Sequence, residues 1–279
     1  MAIIVRSAFV GFGRSQLFGK TIGLKLLLHR RNISSKGMSL FASAPTEVEL
    51  SQIVHNLDQV NSRIRDVVTA LGRSPVKLVA VSKTKPPACI LELYKAGHRD
   101  FGENYVQELV AKAADLPKDI NWYFIGHLQS GKAKGLLKDV PNLHCIETID
   151  SEKIASKINA GIESGSRPPL EVLIQVHTSS EETKSGVAPS EVVGLADFII
   201  NSCPQLQLKG LMTIGAPEDP SCFDILQQCR TSLSQHLNVD PSTLELSMGM
   251  SSDFEAAIAH GSTSVRVGST IFGARDYSK

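Results

Sequence analysis

Hydrophobic positions recur every three or four residues from Thr46 to about Leu71: Val48, Leu50, Ile53, Val54, Leu57, Val60, Ile64, Val67 and Val68. This spacing puts them on one face of a long amphipathic helix, and Thr46 with Glu49 three residues on supplies a capping box at its start. Gly72 ends the pattern. Beyond it, short β-branched or apolar runs alternate with helical periodicity. Strands are predicted over 76–82, 99–102, 122–126, 143–148, 171–177, 208–214, 243–248 and 264–267. Helices are predicted over 87–97, 104–114, 130–138, 151–164, 189–201, 221–237 and 252–260.

Eight strands alternating with helices through short connections suit a single parallel (β/α)8 TIM barrel, an α/β fold, preceded by the amphipathic helix. An open doubly wound sheet would need fewer strands and a Gly-rich first turn, which the sequence lacks. No low-complexity linker divides 46–279, so it reads as one domain.

Composition changes this picture only at the N-terminus. Over 279 residues, 29 Lys+Arg against 28 Asp+Glu give a net charge of +1, with 42% hydrophobic residues. That balance is globular and offers no whole-chain electrostatic reason for nucleic acid as a partner. Yet residues 1–46 hold seven Lys/Arg and no carboxylate, leaving the rest at −6. An acid-free, Arg- and Ser-bearing start is expected to be an organellar transit peptide, mitochondrial or plastid. The alternative is a disordered extension of 1–45 on a cytoplasmic protein. Its apolar runs are too short to span a membrane. A P-loop-like stretch at 13–21 has five residues between its glycines where four are required, and is rejected. Five scattered cysteines without a C-x-x-C pair read as reduced, buried thiols.

In a barrel the chemistry sits at the C-terminal ends of the strands. Those ends carry Ser82-Lys83-Thr84-Lys85, Gly102-Glu103-Asn104-Tyr105, Gly126-His127-Leu128-Gln129, Glu147-Thr148, His177-Thr178, Thr213-Ile214-Gly215, Met248-Gly249-Met250-Ser251-Ser252-Asp253 and Arg266-Val267-Gly268-Ser269-Thr270. A purely structural barrel has no reason to gather Lys, Asn, His, Ser and Arg at one mouth, so a polar small-molecule site is expected there. Ser252 with Glu255 fits a capping box, and the helix start it marks, with Gly268-Ser269-Thr270, suits an anion. A capped helix and a tight turn would explain the same residues. Lys83, directly after an apolar strand, would be partly desolvated and imine-forming, against the alternative of an exposed loop lysine; Lys85 is its near neighbour. His127 and His177 could act as acid or base but lack partners at zinc-ligand spacing, so no metal is expected. Serine hydrolase and glycosidase patterns are absent.

Five motifs carry a resemblance. These are Val79-Ala80-Val81-Ser82-Lys83-Thr84-Lys85-Pro86, Phe101-Gly102-Glu103-Asn104-Tyr105-Val106-Gln107-Glu108, Trp122-Tyr123-Phe124-Ile125-Gly126-His127-Leu128-Gln129, Ser247-Met248-Gly249-Met250-Ser251-Ser252-Asp253-Phe254 and Val265-Arg266-Val267-Gly268-Ser269-Thr270-Ile271-Phe272-Gly273. In order, and over about 46–277, they resemble the pyridoxal phosphate homeostasis protein family. The resemblance implies a barrel like the N-terminal domain of alanine racemase, carrying pyridoxal 5′-phosphate (PLP) as a Schiff base on Lys83. Met250, Ser251, Gly268 and Ser269 match cofactor-binding positions, the last three at the phosphate. Arg266 matches an arginine beside the cofactor, near either the phosphate or the pyridine nitrogen. Asn104 and His127 match pocket positions.

About nine residues follow Thr270, too few for the β-rich second domain with which barrel-type racemases complete catalysis. The expectation is therefore a PLP carrier and buffer in vitamin B6 homeostasis, supplying apo-enzymes, as a monomer or weak dimer without robust turnover. The competing expectation is a PLP-dependent enzyme, racemase-like, with Tyr105 or His127 as the second catalytic group.

Overall fold

The computed structural model describes residues 45–179, 185–216 and 219–274. The acid-free N-terminal segment, its targeting reading and the P-loop-like stretch lie outside the described residues. In chain order, a long helix α1 (Glu47–Ala70) precedes β1 (Lys77–Val81), α2 (Pro87–Lys95), β2 (Asp100–Glu103), α3 (Val106–Asp115), β3 (Asn121–Phe124) and α4 (Ala133–Asp139). There follow β4 (Leu143–Ile149), α5 (Glu152–Gly161), β5 (Leu170–Gln175), α6 (Val192–Ser202), β6 (Leu206–Met212), α7 (Ser221–Leu237), β7 (Glu245–Ser247), α8 (Phe254–Ala259), β8 (Ser264–Val267) and α9 (Ser269–Phe272). Every neighbouring pair of strands is parallel, and β8 pairs with β1 from Lys77↔Ser264 to Ala80↔Val267, closing the eight-stranded barrel.

Strand periodicity sorts the side chains into two cores. Val79, Tyr123, Ile125, Cys145, Leu173 and Met212 fill the barrel, with Val81 packed against them. Their alternates, such as Leu78, Ala80, Phe101 and Trp122, face outward against Leu93, Leu109 and Leu136 of the helices. Both faces are therefore buried, which is why the strands read as apolar runs rather than alternations. All five cysteines are buried and free.

The predicted capping box at Thr46 is present: its hydroxyl accepts the Glu49 N–H at 3.3 Å and its own N–H donates to Glu49 Oε2 at 2.7 Å. The buried stripe Ile53, Leu57, Val60 and Ile64 lays α1 across α2, α8 and α9, over the seam where β8 meets β1. Asn56 donates to the Ile271 carbonyl at 3.0 Å, and Arg63 grips Glu255 with two bonds of 2.8 and 2.9 Å.

Three local expectations are corrected. Ser252 does not cap a helix from 252: α8 begins at Phe254, its N-cap Asp253 is turned back to accept the Met250 N–H at 2.6 Å, and Glu255 is spent on Arg63. The strand expected from 243 is shortened because Pro241–Thr243 makes a 3-10 turn. The segment read as a tight turn after β8 is the short helix α9.

Candidate functional site

The alternation that buries Val79 and Val81 inside the barrel carries one residue past the strand to Lys83, which enters the mouth half-buried beside Val81. The same parity brings in Asn104 beyond β2 and Arg266 on β8. Together they line a cavity of about 650 Å³ at the C-terminal ends of the strands. Its walls are apolar where Val81, Ile125, Met212 and Ile214 contribute. Its polar end is built by Ser251, Ser252, Ser269 and Thr270 around Gly268.

Two loops are locked to each other at that end. Ser251 Oγ accepts the N–H groups of Gly268 at 3.1 Å and Thr270 at 3.4 Å, and the Thr270 hydroxyl donates to Ser251 O at 3.4 Å. Gly268 is closely packed: a Cβ there would stand 3.3 Å from both Cβ and the carbonyl oxygen of Val81, which would have to give by a few tenths of an ångström. Gly249 is required more strictly: its φ is +95°, and a Cβ would come within 2.5 Å of Ala257.

Arg266 is wholly buried and immobilised. Its Nη1 donates to Ser247 Oγ at 2.6 Å and its Nη2 to the Thr213 carbonyl at 2.7 Å, while Ser247 Oγ donates in turn to Glu147 Oε2 at 2.6 Å. Burial lowers the pKa of the guanidinium and raises that of Glu147, and each opposes the other's shift by its charge. The guanidinium is thus held as a fixed group at the cavity wall, its charge balanced by Glu147 behind it.

Behind the wall lies a second ionic cluster. Lys112 on α3, also wholly buried, donates to Glu103 Oε1 and Glu108 Oε1, both at 2.6 Å, and to the Ser82 carbonyl at 2.8 Å. Burial raises the Glu103 carboxyl to about 7, against the pull of Lys112. Sequence reasoning missed this cluster, although the signal was present. Lys112 lies three residues after Leu109 and four before Leu116 on the apolar stripe of α3, and a lysine there needs a buried partner.

Of the residues expected at the site, Lys83, Asn104, Met250, Ser251, Arg266, Gly268 and Ser269 share the cavity. His127 and Tyr105 do not line it. They border an adjoining cleft of about 300 Å³ that meets the cavity at Asn104. β3 ends at Phe124, so strand alternation no longer aims His127, which turns to Asp150 at 3.3 Å and stays 57% exposed. Tyr105 is 56% exposed at the start of α3. The cavity holds Lys85 as well, donating to the Ala274 carbonyl at 3.0 Å. Among the described residues its lining includes no His, Tyr, Cys, Asp or Glu. No group of His, Cys, Asp or Glu that could hold a metal occurs among them, and no helix is long and apolar enough to cross a membrane.

The alanine racemase N-terminal domain family matches residues 50–276. The human pyridoxal phosphate homeostasis protein is 46% identical over 239 residues, covering 80% of this chain and 86% of its own. The Escherichia coli K12 protein of that name is 44% identical over 238 residues, covering 82% and 100%. PipY of Synechococcus elongatus, solved with PLP bound, superposes with a TM-score of 0.64 at 34% identity over 80% of this chain and all of its own. Alanine racemase of Corynebacterium glutamicum shares the fold alone, with a TM-score of 0.60, 15% identity, 82% of this chain and 62% of its own.

Proposed function

Because the chain belongs to the pyridoxal phosphate homeostasis protein family, we propose that it binds PLP in the barrel-mouth cavity and acts as a carrier and buffer of that cofactor. In this reading Lys83 holds the aldehyde covalently through its ε-amine. The residues present fit the group. A half-buried amine stands over apolar walls, and the hydroxyls of Ser251, Ser252 and Ser269 line one end, as a phosphate requires. The buried Asn104 Oδ1 has no hydrogen-bond partner within the protein, which leaves it for a donor on a bound molecule. Arg266 already spends N–H groups on Ser247 and Thr213, so it is better placed to face the ring than to clamp the phosphate.

PLP, when bound, supplies an electrophilic aldehyde and an electron-accepting ring. What the chain adds is retention: Lys83 masks the aldehyde, the apolar walls exclude water, and the polar end grips the phosphate. The observation that carries the carrier reading is the cavity's titratable inventory. Beside Arg266 it has two lysines and, among the described residues, no His, Tyr, Cys, Asp or Glu. Racemising an amino acid takes an acid or base on each face of its Cα, and His127 and Tyr105 lie in the neighbouring cleft.

The test is twofold. The PLP-loaded chain should activate an apo PLP-dependent enzyme, and it should exchange the Cα hydrogen of amino acids for deuterium no faster than free PLP. Rapid exchange across a panel of amino acids would favour the enzyme reading instead.

A further inference from the structure

Lys83 lies beyond the last residue of β1, where ladder hydrogen bonds no longer fix the chain, yet its two neighbours are tied down from behind the barrel wall. Ser82 faces outward: its carbonyl accepts from Lys112 Nζ at 2.8 Å and its hydroxyl donates to Glu103 Oε1 at 2.6 Å. On the other side, the Thr84 N–H donates to Glu108 Oε1 at 2.6 Å. Lys112 joins the two carboxylates at 2.6 Å each. One buried ion cluster thus grips the residues immediately before and after the lysine.

The arrangement is costly in two ways that packing alone does not require. An ammonium withdrawn from water carries a penalty of several kcal/mol, and apolar replacements of such ion clusters are often neutral or stabilising. Thr84 is held at φ +64°, where a side chain with a Cβ loses roughly 1–2 kcal/mol. Glu103 Oε2 is buried with no hydrogen-bond partner, a further cost. All three features converge on the peptide units that flank Lys83.

We infer that Lys112, acting through Glu103 and Glu108, is the positioning residue that locks the Ser82–Thr84 backbone and so aims the Lys83 amine into the cavity. The inference rests on the reading of Lys83 as the covalent anchor of PLP. A long side chain keeps its own rotamers, but the backbone sets its origin and direction, and displacements near 1 Å can slow a reaction by up to about 10²-fold.

The test separates covalent capture from simple binding. The full-length chain is given either PLP or pyridoxine 5′-phosphate, which carries an alcohol in place of the aldehyde and cannot be captured. Capture at Lys83 is timed by borohydride quenching and peptide mass spectrometry. Lys112→Met, and the charge-balanced double variant Glu103→Gln with Lys112→Met, should capture PLP at least about tenfold more slowly. Both should bind pyridoxine 5′-phosphate within about threefold of the unmodified chain, about 0.7 kcal/mol. If neither variant folds, Glu108→Ala, which removes the Thr84 partner and one of the two carboxylates on Lys112 while leaving Glu103 in place, should show the same selective slowing. Capture at the original rate, or a parallel loss of both ligands, would overturn the positioning role. An unmodified chain with no adduct on Lys83 would overturn the anchor reading itself, and the positioning role with it.

Discussion

The hydroxyl of Ser251, in the turn after β7, accepts the amide N–H of Gly268, the residue that follows β8, across 3.1 Å. The seventh and eighth loops are therefore assembled into one polar cup. The cup brings the hydroxyls of Ser251, Ser252 and Ser269 to the same end of the cavity. Ser251→Ala removes the hydroxyl and with it the acceptor that ties the Gly268 and Thr270 N–H groups to the turn after β7. It is expected to weaken PLP about tenfold, near 1.4 kcal/mol, and to lower stability to urea by about 1 kcal/mol. An unchanged affinity by fluorescence titration would remove Ser251 from the phosphate site.

Thr84 separates backbone geometry from side-chain chemistry. Thr84→Gly keeps the N–H that Glu108 accepts and relieves the left-handed strain, at the expense of a freer unfolded chain. The two effects nearly offset, and stability should stay within about 1 kcal/mol of the original. Thr84→Pro removes that N–H and fixes φ near −65°, so it should cost about 3 kcal/mol or more. Denaturant melts of the two variants compare them directly, and equal effects would mean that the turn is not held by Glu108.

Glu103 gives stability a pH signature. Its carboxyl is raised by burial from an ordinary 4.5 to about 7, so between those values the folded chain holds a proton that the unfolded chain has released. Stability must then fall as pH rises through this window, by an amount on the order of 3 kcal/mol at most. Glu103→Gln should flatten that slope while Ser82 keeps an acceptor. Melts between pH 4.5 and 7.5 check it, and a slope that survives the substitution would assign it to another group.

The α1 stripe closes the seam between the first and last strands. Leu57→Ala, at a buried position of that stripe, should cost about 2–4 kcal/mol. Arg63→Ala breaks an ion pair whose partners are each 43% exposed and should cost less than about 1 kcal/mol. Urea titrations rank the two, and the reverse order would mean that α1 is held by charge rather than by burial.

Much of this was legible in the sequence, for a physical reason. Period-two and period-3.6 patterns report burial, and burial is what builds a barrel, so all eight strands and the leading helix follow from them. Lys83 follows too, because its parity with Val79 and Val81 aims it inward. Where the chain leaves a regular element the argument fails. His127 lies three residues past β3 and turns to Asp150 instead of the cavity. Arg63 takes the Glu255 carboxylate that the Ser252–Glu255 capping box would need, and the helix starts only at Phe254 after the Met250–Asp253 turn. Both outcomes depend on residues distant in sequence or on local turn geometry, which periodicity does not encode. The Lys112 cluster lies between these cases: its spacing was visible, but two of its partners, Glu103 on β2 and Ser82 just past β1, lie outside its own helix.

The most direct measurement is borohydride reduction of the PLP-loaded chain followed by peptide mass spectrometry. A phosphopyridoxyl group on Lys83, absent from Lys83→Ala, is the expected result. An unmodified Lys83, or an adduct confined to Lys85, would contradict the assignment of the strand-end lysine as the anchor of the cofactor.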